Sequence, residues 1–233
     1  MAQYWLDIEN LTDGVLPDWI ENGGGNYVFA VSEFDNEMTF RWNISSNTRS
    51  SAYFKDSDGN YITAENVEIY ANIIDFSAAD SRFGIRMNVG GSDGFTIGRR
   101  GWSSDTTRRI ASYMGGSFNE HAAEDDGISS STWLHIRVST QGGSHFVRTW
   151  TGDLEDEATA TELSTTSTRV TGSGRVGLLA FNASGGTRAR RGIGIGTDGD
   201  PAPTGPVPVG PTTPTSLITS NITANSFRAG WTP

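Results

Sequence analysis

The chain has 233 residues, a formal net charge of −10 and no cysteine. The acidic excess argues against binding to nucleic acid, which depends on clustered cations that meet phosphates. The lack of cysteine excludes disulfides, thiolate metal sites and thiol catalysis, so stability must come from packing. The part before the C-terminal tail, about two hundred residues, is long enough for one all-β domain with a single buried core.

The N-terminal sequence MAQYWLDIENLTDGVLPDW lacks the basic start and apolar run of a secretory signal peptide. No later segment is long and apolar enough for a transmembrane helix. These features predict a protein that is made in the cytoplasm and does not insert into a membrane.

Alternation of apolar and polar residues recurs from about residue 38 onward and predicts β-strands. In NVEIYANI, the odd-numbered residues from Val67 to Ile73 form an apolar face, and Glu68, Tyr70 and Asn72 form a polar one. This pattern predicts a strand with one buried and one solvated face.

The segments SRFGIRMNV and STWLHIRVS repeat this alternation. The residues predicted to face the core are Phe83, Ile85, Met87, Val89, Leu134, Ile136 and Val138. Those predicted to face solvent are Arg82, Arg86, Asn88, Trp133, His135 and Arg137. GRVGLLAFN is apolar on both faces and predicts a central strand.

Glycine-rich turn signals separate these segments: KDSDGNY, VGGSDGF, TQGGSHF and NASGGT. Many short strands with such turns predict an antiparallel β-sandwich or barrel. The best candidate for a short helix is NEHAAEDD, with a loop as the alternative.

The composition changes after Asp200, where six of the eight prolines lie between positions 201 and 214. Such a segment predicts an extended, semi-rigid spacer. The predicted organisation is therefore a domain over residues 1–200, a Pro-rich linker over 201–214 and a further segment over 215–233.

Several segments in this order resemble the concanavalin A-like, laminin G-like sandwiches: DIENLTDGVLPDW, NVEIYANI with RFGIRMNV, and TWLHIRVSTQGGSHFVRTW followed by SGRVGLLAFN and GIGIGTDG. The resemblance implies an antiparallel jelly-roll β-sandwich. That fold occurs in lectin modules, laminarinase-type glycosidases and domains of bacteriophage structural proteins. The last segment, PTTPTSLITSNITANSFRAGWTP, resembles the first two strands of a fibronectin type III domain, with Trp231 as the core Trp.

The glycosidases of this fold place Glu, Asp and Glu at alternate positions of one strand, where their carboxyl groups share a face. The matching strand here has Glu68, Tyr70 and Asn72, so two of the three carboxylates are missing. We therefore predict no catalytic residues and a protein that is not an enzyme.

Two other sets of polar residues could serve chemistry. Asp153, Glu155 and Glu157 have alternate spacing but lie among turn residues, which favours a solvated acidic loop. The three histidines, His121, His135 and His145, have no metal-ligand spacing and are predicted to be ordinary sheet residues.

The segment DSDGN imitates the start of a calcium loop through Asp56, Asp58 and Asn60. The position of the bidentate Glu is occupied by Val67, so the full pattern fails. A plain Asp-Gly hairpin turn is the favoured alternative. Calcium is thus possible at this turn, and no other metal or cofactor is predicted.

Sugar recognition needs aromatic faces for pyranose rings and planar polar groups for hydroxyls. Of 17 basic residues only Lys55 is lysine, and Arg is the better bidentate partner for the carboxylates of acidic sugars. The residues predicted to contact a glycan or a protein are Arg99, Arg100, Trp102, Arg108, Arg109, Tyr70, Arg86, Arg137, Arg148 and Trp150. The alternative for the same residues is cross-strand packing.

These features favour a non-enzymatic virion structural or adhesive protein of a bacteriophage, such as a fibre, tail or capsid-surface component. Its predicted partners are other virion proteins in a homo-oligomer or multi-copy assembly, and a host cell-surface glycan. The alternative is a carbohydrate-binding module or a glycosidase-like protein, and a third hypothesis is a scaffold that binds only protein.

Overall fold

The computed structural model describes residues 2–24, 27–44, 50–76, 82–88, 93–102, 105–180 and 186–207. These ranges contain sixteen strands and a 3₁₀ turn, Leu154–Thr159. In chain order the strands are β1 (Ala2–Asp7), β2 (Ile20–Gly24), β3 (Tyr27–Phe34), β4 (Glu37–Ile44), β5 (Ser50–Phe54), β6 (Thr63–Ala64), β7 (Val67–Asp75), β8 (Arg82–Met87), β9 (Gly94–Trp102), β10 (Asp105–Met114), β11 (Ser117–Asp125), β12 (Leu134–Gln141), β13 (Ser144–Trp150), β14 (Thr161–Thr166), β15 (Gly174–Ala180) and β16 (Gly186–Thr197). Within the same ranges no helix is long and apolar enough to cross a membrane.

The strands form two antiparallel sheets that pack face to face. Sheet A has the order β14-β13-β12-β7-β16-β4-β3, with β1 also paired to β16. Sheet B has the order β11-β10-β9-β8-β15-β5-β2, with β6 also paired to β15. The first half of β16 pairs with β4 and its second half with β1, so both strands join sheet A along one long partner. The predicted all-β, antiparallel sandwich is confirmed.

The core lies between the sheets and contains the apolar faces predicted from alternation. The inward residues of β7 and β12 are all buried in it: Val67, Ile69, Ala71, Ile73, Leu134, Ile136 and Val138. On β15, Val176 and Leu178 face this core and Leu179 is buried on the other side of the sheet, so the predicted central strand is confirmed.

The prediction of a solvated face on β7 is wrong, because a second layer covers it. Tyr70 and Asn72 are each 4% exposed. Tyr70 packs with Trp150 and Ala202, and Leu154 of the 3₁₀ turn lies against the same cluster. Period-two alternation identifies the two faces of a strand but not what covers them.

The core-facing positions predicted for β8 are confirmed at Phe83 and Ile85, and the alternation then reverses. Arg86 has a φ of 55°, in the left-handed region, and the pairing of β8 with β15 shifts register there. Such a bulge reverses which side the next residue faces. Arg86 is therefore buried and donates to the carbonyls of Val170 (2.7 Å) and Gly142 (2.6 Å), whereas Met87 packs outside sheet B. Arg86 was predicted to face solvent and Met87 to face the core, and both predictions are wrong.

Two further predictions differ from the structure. Arg82, predicted to face solvent, is buried. NEHAAEDD, the helix candidate, forms part of β11, which pairs with β10 from Met114↔Ser117 to Thr107↔Asp125. Here the backbone hydrogen bonds of the sheet outweigh the helix preference of Ala and Glu.

The chain that follows β16 lies on the outer face of sheet A. The Ala202 N–H donates to Glu68 Oε1 (3.1 Å), and Gln3 Nε2 donates to the Pro201 carbonyl (2.8 Å). We call Pro201–Pro203 the strap. The domain boundaries remain predictions, and the rest of the tail from residue 208, including Trp231, lies outside the described residues.

Replacing Gly194 with Ala is expected to displace the strap, because a Cβ at Gly194 would overlap the carbonyl oxygen of Pro203. Hydrogen exchange of the Ala202 amide should become about tenfold faster. Gly205→Ala is the matched control, since a Cβ there meets open space. An unchanged exchange rate in the Gly194 variant would show that the strap does not depend on this close approach.

Candidate functional site

Arg99, predicted to contact a ligand, lies between the sheets. Its guanidinium donates to Asp126 Oδ2 (2.7 Å) and Asp75 Oδ2 (3.1 Å), and all three side chains are fully buried. Thr149 and Thr187 donate to the same two carboxylates. This buried network satisfies both acids, and its burial corrects the prediction that Arg99 faces a ligand.

Arg108 is also buried rather than ligand-facing. Its Nη1 donates to the Thr161 carbonyl (2.5 Å) and its Nη2 to Glu124 Oε2 (2.9 Å). The pair Arg108↔Arg99 in the β9–β10 register places both side chains on the inward face. Like Arg86, they connect elements of the fold, which corresponds to the packing alternative.

The remaining predicted residues of this segment lie on the outside of sheet B or beyond the described side chains. Arg109 forms an ion pair with Glu120 (2.8 Å) and is mostly covered. Arg100 is half-buried. The side chain of Trp102 lies outside the described residues, so its contact with a ligand remains a prediction.

The second predicted group does come together on the outer face of sheet A. The register pairs Arg137 with Tyr70 and Arg148, and His135 with Trp150. The ring of His135 stacks on those of Tyr70 (5.9 Å between centroids, 17° between planes) and Trp150 (5.2 Å, 19°). This aromatic row differs from the prediction that His135 is an ordinary sheet residue.

The aromatic row is closed to a ligand. Tyr70 and Trp150 are each 4% exposed, beneath the 3₁₀ turn and the strap. Burial raises the pKa of Tyr70 to about 12 and lowers the pKa of His135, so both are neutral at pH 7. Tyr70 then donates to His135 Nδ1 (2.7 Å), and His135 Nε2 donates to the Gly152 carbonyl (3.1 Å).

The acidic segment was predicted to be a solvated loop, but its Glu157 helps to hold the 3₁₀ turn against the outer face of sheet A. Glu157 Oε1 accepts from Arg137 Nε (2.6 Å), and Glu68 Oε1 accepts from Arg137 Nη1 (2.6 Å). Asp153 caps the 3₁₀ turn, whereas Glu155 is exposed. Arg148, with a third of its side chain exposed, pairs with Glu162 (2.7 Å). Arg137 and Glu68 therefore hold structure together and are not free for substrate.

The calcium candidate has the geometry of a hairpin turn. Asp56 Oδ1 accepts from the backbone N–H groups of Asp58 (3.0 Å) and Asn60 (2.9 Å). Gly59 takes the left-handed conformation, with a φ of 81°. Across the described part of the chain, no group of three His, Asp or Glu side chains could hold a metal ion.

An open cleft lies beside this turn, on the outer side of sheet B. Its volume is 660 Å³, and among its lining residues are Asn60, Tyr61, Thr63, Asn88, Ser173 and Arg175. The Arg175 guanidinium lies 3.5 Å from the ring centroid of Tyr61 and 4.5 Å from that of Tyr53. Aromatic, amide, hydroxyl and guanidinium groups thus meet in one concave surface.

The two sides of this cleft are fixed by neighbouring groups. Tyr53 packs edge-on against Tyr61 (5.8 Å) and donates to the Asn88 carbonyl (3.0 Å). The Tyr61 hydroxyl bonds to Glu21, which also pairs with Lys55 (2.5 Å). Both partners lower the pKa of the Glu21 carboxyl. The rings are therefore held in place before any ligand arrives.

This cleft is not predictable from local sequence patterns. Arg175 reaches Tyr61 because β15 pairs with both β5 and β6, which flank the Asp56 turn. A Cβ at Gly174 would lie 2.5 Å from the backbone of Arg86, so glycine is required where the strands approach. The one local signal in the sequence is the Asp-Gly turn, which places Tyr61 directly after Asn60.

A smaller groove of 330 Å³ lies on the outer face of sheet A. Hydroxyl residues and Phe146 line it, and Arg148 lies 4.8 Å from the Phe146 ring. This groove is the alternative candidate for a ligand site.

No family model matches the sequence, and a search of curated proteins found no match. The fold is similar to that of the carbohydrate-binding module CBM66 from Bacillus subtilis, at 9% identity and a TM-score of 0.54, over 75% of this chain and 93% of that module. It is also similar to the Ca²⁺- and Man2-bound exoplasmic/lumenal domain of VIP36, at 12% identity and a TM-score of 0.49, over 87% and 90% of the two chains. A third similar structure is the CBM2 module of the evolved Dit of Lactobacillus casei BL23 phage J-1, at 12% identity and a TM-score of 0.47, over 82% and 94%.

At these identities the similarity shows the fold alone. The protein is an antiparallel jelly-roll β-sandwich, and its fold is similar to that of a carbohydrate-binding module. This confirms the fold implied by the concanavalin A-like resemblance.

Proposed function

We propose that this protein is a non-enzymatic carbohydrate-binding domain whose ligand occupies the cleft beside Tyr61 and Arg175. The main support is the meeting of a fixed aromatic ring, a guanidinium and the side chains of Asn60 and Asn88 in one concave surface. Aromatic rings pack against the apolar faces of sugars, and amides and guanidinium groups bond their hydroxyls. The cleft volume lies within the range of about 300–1,000 Å³ that is usual for small-molecule sites.

The chemistry of the lining favours binding over hydrolysis. Glycoside hydrolases place two carboxyl groups on either side of the scissile bond. Among the described residues that line the cleft there is no Asp or Glu. The nearby Glu21 is engaged by Lys55 and Tyr61. The similar fold of a carbohydrate-binding module gives the proposal further support.

Removing the ring of Tyr61 tests this function. Tyr61→Ala is expected to weaken saccharide binding about tenfold, since a stacking contact of this kind contributes on the order of 1 kcal/mol or more. Tyr61→Phe keeps the ring and should retain most of the affinity. Binding is measured first on a glycan array and then by calorimetry, with and without EDTA.

The matched control is Phe146→Ala, which removes a half-buried ring from the outer face of the opposite sheet. Loss of binding in this variant alone would move the site to the smaller groove. The proposal does not require calcium, because the Asp56 carboxylate already accepts two backbone N–H groups. Binding that disappears in EDTA would instead support the calcium hypothesis for Asp56, Asp58 and Asn60.

We also propose that the domain serves a bacteriophage particle, as a fibre, tail or capsid-surface component that contacts host glycans. The support is the resemblance in sequence and the Pro-rich segment after the domain, which suits a spacer. Other virion proteins and further copies of this chain are the proposed partners. Antibodies against the domain should label purified bacteriophage particles. Particles that lack the chain would refute the role in a virion but would not bear on saccharide binding.

A further inference from the structure

Arg175 forms no ion pair with a carboxylate among the described residues, although it lines an open cleft. Six other arginines each form an ion pair with a carboxylate: Arg99, Arg108, Arg109, Arg137, Arg148 and Arg190. Arg175 is half-exposed, and within the described residues its guanidinium contacts the rings of Tyr53 and Tyr61. Arg86 also lacks a carboxylate partner, but its N–H groups are bonded to backbone carbonyls, whereas Arg175 faces an open cleft.

The contacts of Arg175 leave its donors available. Aromatic rings pack against the flat face of a guanidinium, whereas its N–H groups lie in its plane. The Glu21 carboxylate, whose pKa is lowered first by Lys55 and Tyr61 and also by Arg175, is bound by Lys55 (2.5 Å) and by the Tyr61 hydroxyl. Arg175 is thus fixed in position while its in-plane N–H groups have no carboxylate partner among the described residues.

The rest of the lining is neutral. Asn60 and Asn88 contribute amides, and Thr63 and Ser173 contribute hydroxyls. Among the described lining residues, Arg175 is the one charged group. The described lining therefore carries one positive charge, on a chain whose net charge is −10. The Asp56 carboxylate of the adjoining turn accepts the backbone N–H groups of Asp58 and Asn60, so Arg175 remains the lining group that can pair with an anion.

We propose that this cleft selects saccharides that carry an anionic group, a carboxylate or a phosphate, and that Arg175 binds that group through its N–H fork. Planar bidentate pairing with such oxyanions is the contact for which guanidinium geometry is best suited. The proposal rests on the proposed function and specifies its ligand class. The Tyr61 ring and the two asparagines would contact the sugar itself.

The test uses pairs of immobilised oligosaccharides that differ at one position. One member of each pair is neutral, and the other carries a carboxylate at C6 or a phosphate on the same hydroxymethyl oxygen. The full chain should bind the charged members about tenfold more tightly, as expected for a charge-assisted hydrogen bond. Tighter binding of the carboxylate members or of the phosphate members identifies which anion the cleft prefers.

Variants at Arg175 assign the preference. Arg175→Met should lose the tenfold ratio between charged and neutral members, whatever its effect on both affinities, and Arg175→Lys should keep part of that ratio, because lysine retains the charge but not the fork. Arg148→Met, on the opposite sheet, removes the same charge from an exposed ion pair and should keep the preference. Thermal unfolding of each variant verifies that the domain is folded.

The outcomes separate the two proposals. Equal binding of neutral and charged members, or a preference that survives in Arg175→Met, overturns the anionic ligand and leaves carbohydrate binding in place. If no member of any pair binds the folded chain, the proposed function is contradicted and the anionic ligand with it.

Discussion

Arg99→Met is expected to lower the free energy of unfolding by about 3–5 kcal/mol, the usual cost of removing one partner of a buried ion pair. The substitution leaves Asp75 and Asp126 in the interior without their shared cation. Both carboxylates are fully buried, so water cannot replace the lost hydrogen bonds. Methionine fills similar space, which limits any effect of a cavity. Urea denaturation at pH 7 measures the change.

The loss should be smaller at acidic pH. Burial raises the pKa of the Asp75 carboxyl in the folded protein, although Thr187 and Arg99 act against this. A carboxyl whose folded-state pKa exceeds its unfolded value makes stability fall as pH rises between the two values. Without Arg99 the pKa of Asp75 rises further. Lowering the pH from 7 toward 5 should therefore reduce the difference in unfolding free energy between the variant and the wild type.

The control for this prediction is Arg148→Met, which breaks a partly exposed pair with Glu162. Such pairs contribute about 0–1 kcal/mol, so this variant should remain close to wild type at both pH values. A loss below about 1 kcal/mol in Arg99→Met would contradict the view that the buried network stabilises the sandwich.

Gly177→Ala is expected to lower the free energy of unfolding by about 3 kcal/mol, at the upper end of overpacking effects. Gly177 lies in β15 opposite Tyr53 of β5. A Cβ at this position would overlap the carbonyl oxygen of Ala52, which is backbone and cannot rotate away. The two central strands would have to separate. Thermal and urea unfolding both report the change.

Gly143→Ala is the control for the substitution in β15. Gly143 lies in the β12–β13 turn, where a Cβ would be 3.4 Å from the Thr168 methyl group, an ordinary contact. The unfolding free energy of the Gly143→Ala variant should differ from that of the wild type by less than about 1 kcal/mol. If both glycine variants are equally stable, the close approach of β15 to β5 is looser than the structure indicates.

The fold could be predicted largely from local patterns. The inward faces of β7 and β12 follow from alternation, and the hairpin between β12 and β13 follows from its Gly-Gly turn. The segments that cover the outer face of sheet A could not be predicted. The strap lies on β16 because Gly194 and Gly196 have no side chains and leave room for its backbone. In the sequence these glycines indicated only a glycine-rich strand.

Sites were harder to predict than strands, because residue type does not reveal the partner of a side chain. Arg99 and Arg100 are adjacent, yet one pairs with buried Asp75 and the other lies on the opposite face. The bulge at Arg86 reverses a face that alternation had assigned correctly up to that point. Tyr61 and Arg175 meet only through pairing between strands that are distant in sequence.

The central claim, that saccharide binds beside Tyr61 and Arg175, is tested most directly by NMR titration of the full chain with the best-bound oligosaccharide. The expected result is that shift changes concentrate at Asn60, Tyr61, Asn88 and Arg175. Changes concentrated instead at Ser139, Phe146 and Ser164, in the groove of the opposite sheet, would contradict the claim.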